Sequence, residues 1–258
     1  MRTYDLVIVS MLGALAAIFQ ITHGVLGIPT GFGMTVDLVA VPVLLAFFLF
    51  GLEHSLWVLL IASLVITVIA PDSWLGASMK FSATLPMLTL PALYLISKGS
   101  KAAFFFFCVI SLIIGLAVIM LSGSVGLLVK PVFAGLPLEH LALGLAPILS
   151  IAFLSLVILA LWKPAAKKIS PKPLSKPAIA IAVLLAALAV RALVATISNY
   201  YYAGPIFFGM PPEKLMQLAP WFAIAGWNAL QGILEFGIAW TLAYPFGFAK
   251  RYGKWRDG

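Results

Sequence analysis

Apolar runs of roughly 20 residues, the number that crosses a hydrocarbon core about 30 Å thick as a helix, recur along this chain and limit its fold more than any other feature. Inside a bilayer the backbone must satisfy its own hydrogen bonds, so such runs become helices. Hydrophobic residues make up 63% of the chain and charged residues 9%, a balance that excludes a soluble domain. The chain therefore reads as one all-α integral membrane domain over residues 1–258.

Eight spans can be placed. Span 1 runs from about Tyr4 to Thr22, and is read as a retained helix, because its charged flank is weak for a cleaved secretory signal. A stretch from His23 to Thr35 with four glycines and Pro29 follows, composed like a mobile flap. Span 2 begins near Asp37, contains Pro42 and ends at Gly51. Span 3 starts after the turn Leu52-Glu53-His54 and ends near Ala70. Asp72 to Lys80 reads as a polar loop. Span 4 is Phe81 to Ser97, with Pro86 and Pro91 expected to bend it. Span 5 is Ala102 to Leu121 and span 6 ends at Trp162. The linker Lys163 to Lys176 has five lysines and three prolines, and is expected to be extended and solvated. Spans 7, Pro177 to about Ser198, and 8, about Leu218 to Tyr244, enclose a stretch rich in Tyr, Pro, Gly and Phe.

The formal charge of +8 sets the orientation. With eight spans, Arg2, Lys98, Lys101, the five linker lysines, Lys250, Arg251, Lys254 and Arg256 share a face, which is twelve of the sixteen Lys and Arg. The positive-inside rule makes that face cytoplasmic, with both termini on it, in the plasma membrane of the cell. The cations lie at span ends and are not interleaved with stacking aromatics on a soluble face, which argues against nucleic acid as a partner. Cys108, the single cysteine, excludes an intramolecular disulfide.

No nucleotide-binding, metalloprotease or nucleophile motif is present, so the chain does not read as an enzyme. His23, His54 and His140 fall in loops on both sides of the membrane and cannot meet at one metal; structural or solvated roles are expected. Eight scattered acids give little basis for an integral-membrane transferase. A self-sufficient secondary transporter remains a rival, although no convincing internal repeat is visible.

Polar groups within or beside the spans carry the functional signal. Asn228 and Gln231 are three residues apart, on one helical face of span 8, and Glu235 is one turn further in. Glu235 either pairs with a buried cation or stays protonated. Arg191 lies about two turns inside span 7, lining the same cavity or snorkelling to the interface. Asp37 and Lys80, at span ends, are caps, interface anchors or ligand contacts. Tyr200, Tyr201, Tyr202, Phe207, Phe208 and Trp221 suit an interfacial belt, or stacking faces for a flat ring system. In span 1, Ser10/Ala14 and Gly13/Ala17 are two small-x-x-x-small pairs, for packing within the chain or against a partner helix.

Several of these stretches resemble one family. Val36 to Gly51, VDLVAVPVLLAFFLFG, resembles the F-D-L-S-D-I-P-x-L-L-x-x-F-L-F-G second helix of the substrate-binding S components of energy-coupling factor vitamin transporters, most closely the riboflavin type. Asn199 to Tyr202 through Pro205, then Phe208 to Pro211, resembles the N-Y-x-Y-x-x-P-x-Y-x-G-M-P segment of that family. Trp227 to Gly232 resembles its F-N-x-x-K-G final helix.

The resemblance implies an S-component-like six-helix bundle formed by 1–98 and 177–258, with 99–176 as an inserted hairpin plus basic linker. It implies capture of a vitamin, riboflavin or another vitamin or precursor, as transported ligand, with no resident cofactor. The implied partners are a transmembrane coupling subunit, which would dock on Ser10, Gly13, Ala14 and Ala17, and two ATPase subunits. Asn199, Asn228 and Gln231 are the implied ligand contacts, with Tyr201, Asp37, Lys80 and Arg191 as further candidates. Gln231 stands where the family has a lysine, and the hairpin exceeds its usual six spans.

Overall fold

The computed structural model describes residues 3–22, 27–30, 35–69, 73–97, 109, 113 and 171–253. Apart from residues 109 and 113, spans 5 and 6 and the inserted hairpin up to residue 170 lie outside the described residues, as do Cys108, His23, His140, Arg2, Lys98, Lys101, Lys254 and Arg256. The rest is mostly helical. Among the described residues, three helices are long and apolar enough to cross a membrane, at Leu52–Ile69, Trp74–Ile96 and Pro177–Phe208. The protein is accordingly a helical membrane protein.

Helix α1 is Thr3–Ile21. Two short strands follow, β1 (Ile28–Pro29) and β2 (Thr35–Val36), paired antiparallel with Ile28 opposite Val36. Helix α2, Ala40–Phe50, has only 11 residues, all buried. Pro42 falls in its first turn, where a missing amide leaves no helical bond unmade. At its end Gly51 has φ +90°, a left-handed conformation suited to glycine, and the chain turns directly into α3, Leu52–Ile69. His54 was expected in a loop, but it lies in the first turn of α3 and is buried against Phe50, with ring centroids 5.6 Å apart.

Helix α4 is Ser73–Ser97 and runs through both Pro86 and Pro91. The polar loop expected up to Lys80 is therefore its first two turns. Neighbours take up the polar groups there, which removes the need for solvent. Ser78 Oγ donates to Leu75 O at 2.9 Å and meets Tyr202 Oη at 2.9 Å, while Trp74 packs edge-on against Tyr202.

Helix α5, Pro177–Ser198, does not stop where a loop was expected. It continues through a π-helical turn, Asn199–Ala203, into α6, Gly204–Phe208. The continuous 32-residue helix would be about 48 Å long at 1.5 Å per residue. Pro205 explains the wide turn: it has no amide to donate, but at the start of α6 that loss is absorbed. Gly204 donates to Asn199 O across the turn, and a Cβ on it would lie 2.4 Å from that oxygen. The helix ends where Gly209 takes φ +64°. Helix α7 (Pro212–Leu218), α8 (Trp221–Ala243) and α9 (Phe248–Tyr252) complete the described chain.

Packing forms a ring in the order α2, α3, α4, α5, α8 and back to α2, with α1 set against α2 and α3. Phe48 meets Phe236 and Tyr244 edge-on, joining the end of α2 to α8. The last part of the linker is not extended and solvated. Lys172–Ser175 forms a 3-10 turn with Leu174 buried, because Trp240 Nε1 donates to Leu174 O and Tyr244 Oη to Pro171 O, both at 2.8 Å.

The small residues of α1 divide between two faces. Ser10 and Ala14 are exposed, whereas Gly13 is buried and Ala17 half-buried. A Cβ on Gly13 would lie 2.9 Å from Ile61 Cγ2, so the glycine serves the approach of α1 to α3. Gly13→Leu should thus destabilise the protein by about 1–3 kcal/mol through overpacking. Ala14→Leu should leave stability unchanged; thermal unfolding of the detergent-purified variants checks both.

Candidate functional site

Five polar side chains from four parts of the chain meet inside the helix ring. Asp37 lies between β2 and α2, where its Oδ1 accepts from the Val39 amide at 2.9 Å in an Asx-type turn. Lys80 comes from α4, Arg191 from α5, and Gln231 and Glu235 from one face of α8. Such groups are expensive in an apolar interior unless they find partners. Each here has at least one.

Glu235 is the junction. It is fully buried, and its two oxygens face two different cations. Oε2 accepts from Arg191 Nη1 at 2.8 Å, with 0% and 1% of the two side chains exposed. Oε1 accepts from Lys80 Nζ at 2.9 Å and from Gln231 Nε2 at 3.1 Å. Lys80 Nζ also lies 2.6 Å from Asp37 Oδ1, at an edge of the cluster where the side chains are 12% and 13% exposed. Gln231 Nε2 makes a long contact, 3.5 Å, to the Asp37 carbonyl oxygen. Two cations thus face two carboxylates, so the formal charges of the cluster balance.

Glycine makes the Arg191–Glu235 contact sterically accessible. A Cβ on Gly232 would come within 2.5 Å of Leu188 Cδ2 and 3.4 Å of Arg191 Cδ, so its absence lets α5 approach α8 one turn from Glu235. The Arg191 Nε and the Thr84 hydroxyl are buried without a hydrogen-bond partner in the structure. Thr84 lies one turn beyond Lys80 on the same face of α4. Among the described residues, no three His, Cys, Asp or Glu side chains are disposed to hold a metal ion.

Four of the seven residues anticipated from sequence as ligand contacts, Asp37, Lys80, Arg191 and Gln231, are thus brought together. Lys80 sits within a helix, not at the span end expected for it. Asn228 is buried one turn before Gln231 and donates to Ile224 O at 2.9 Å. Asn199 is half-buried and donates to Ala195 O at 2.8 Å, within its own helix. Tyr201 is 65% exposed, while its neighbours Tyr200 and Tyr202 are buried and hydrogen-bonded to Ala219 O and Ser78. The exposed tyrosine therefore belongs to the surface band with Phe207, Phe208 and Trp221.

Glu235 is the member that sequence reasoning left out of the ligand set. Its spacing, four residues after Gln231, placed it on the right face, and the pairing with a buried cation was one of its two expected states. Removing one partner of a buried pair costs about 3–5 kcal/mol, more than replacing both with apolar groups. Glu235→Gln should show that loss in thermal unfolding, and Glu235→Leu combined with Arg191→Met should recover part of it. A double variant as unstable as the single would mean the ions themselves are needed. No protein-family model, curated protein or solved structure matches the chain.

Proposed function

We propose that this protein is the substrate-capturing subunit of an energy-coupling factor type importer, with a vitamin as ligand and riboflavin as the first candidate. The observation that carries this reading is the gathering of Asp37, Lys80, Arg191 and Gln231, with Glu235, into one polar cluster enclosed by apolar helices. Asn228 extends the same face of α8 by one turn. A flat, neutral solute with hydrogen-bonding edges suits such surroundings, because the cluster offers donors and acceptors but no net charge.

In this reading the chain crosses the membrane eight times, with both termini in the cytoplasm and residues 99–176 forming the inserted hairpin and basic linker. Substrate enters from the outer side beneath the segment that includes β1 and β2. A coupling subunit then carries the loaded protein inward, driven by two ATPases. Of the candidate docking residues on α1, Ser10 and Ala14 lie on the exposed face, where a partner helix can approach closely.

Titration of the purified protein with riboflavin should quench flavin fluorescence saturably at a one-to-one ratio. Asn228→Ala should weaken that binding by about 1–3 kcal/mol, the cost of a lost buried hydrogen bond. Absence of quenching would move the substrate to another vitamin or precursor. Ala14→Leu should abolish uptake while binding persists. Uptake by this chain without coupling and ATPase subunits would instead identify a self-sufficient secondary transporter.

A further inference from the structure

The Lys80 ammonium stands where a bound cation would stand. Its Nζ is 2.6 Å from Asp37 Oδ1 and 2.9 Å from Glu235 Oε1, so one positive centre bridges carboxylates from two separate elements. The lysine itself comes from a third element, α4, opposite both. Arg191 cannot take this position, because its Nη1 is committed to the other oxygen of Glu235. Without the ammonium, Asp37 and Glu235 would share one remaining cation, Arg191, and a carboxylate would be left unbalanced in a low-dielectric interior.

We propose that Lys80 is a tethered counter-ion: its ammonium fills a monovalent-cation position between Asp37 and Glu235, so the assembled cluster needs no inorganic ion. Carriers that couple to ions hold a mobile cation among such buried oxygens and release it in each cycle. Here the cation is covalently fixed and cannot leave. The assembled site should therefore be insensitive to sodium and potassium, and the energy for uptake would have to come from elsewhere. This inference holds whatever solute the protein captures.

The test is replacement of the missing cation in Lys80→Ala. Thermal unfolding of the full-length protein in detergent would be followed in choline chloride, then with sodium, ammonium or methylammonium chloride at matched ionic strength. Wild-type Tm should be the same in all four. Lys80→Ala should unfold earlier in choline and regain roughly 5–10 °C with saturating sodium, ammonium or methylammonium; tetramethylammonium, too large for the position, should give no recovery. Adding Asp37→Asn removes the unbalanced carboxylate, so Lys80→Ala with Asp37→Asn should be more stable in choline and unresponsive to cations. The proposal is overturned if Lys80→Ala responds to none of these cations, or fails to fold in any of them. It is equally overturned if the double variant is no more stable than Lys80→Ala, or if wild type responds as strongly as the variant.

Discussion

The Glu235 carboxylate, held between Arg191 and Lys80, is the contact on which the arrangement of the helices depends. In lipid the hydrophobic effect gives helices little reason to choose one neighbour over another, and packing detail and polar contacts decide. Here α8 presents a negative centre, α4 and α5 each present a cation, and Asp37 ties the start of α2 to the same group. Most of the ring is thereby fixed in rotation, since turning any one of these helices away would strand a charge in an apolar interior. Net neutrality makes the cluster tolerable, and complete pairing of its carboxylates makes it specific.

The close approaches around this centre follow from small residues in the right places. Gly232 beside Leu188 and Arg191 brings α5 onto α8, and Gly13 beside Ile61 brings α1 onto α3. The same economy appears at the C-terminal end of α5, where Gly204 and Pro205 convert what would be a helix break into a π-turn. That turn lets three successive tyrosines divide their duties, two fastened inside and one left outside.

Much of this was legible in the chain. The helices Thr3–Ile21 and Leu52–Ile69, and the start of Pro177–Ser198, follow from apolar runs alone, and an interior shared by Arg191 and Gln231 was one of two expectations before any contact was known. The pairing of Glu235 was visible only as a choice, because its partner Lys80 lies 155 positions away and its other partner 44. No local pattern encodes such distances. The helical start of α4 was hidden because Ser78 and Lys80 look like loop residues until Tyr202 and the carboxylates are in place. The clasp of the linker by Trp240 and Tyr244 was hidden for the opposite reason. Lysine and proline content describes a segment in water, whereas Leu174 and two backbone carbonyls decide where this one rests.

Helix α2 has a consequence of its own. A helix at a lipid boundary has an outward stripe where almost any apolar residue serves, and evolution can drift along it. All eleven residues of α2 are enclosed by protein, so it has no such stripe. Every position there answers to a neighbour's shape, and change at one must be matched by change at another. Across related sequences α2 should therefore vary without helical periodicity, its residues shifting in concert with those of α3 and α8.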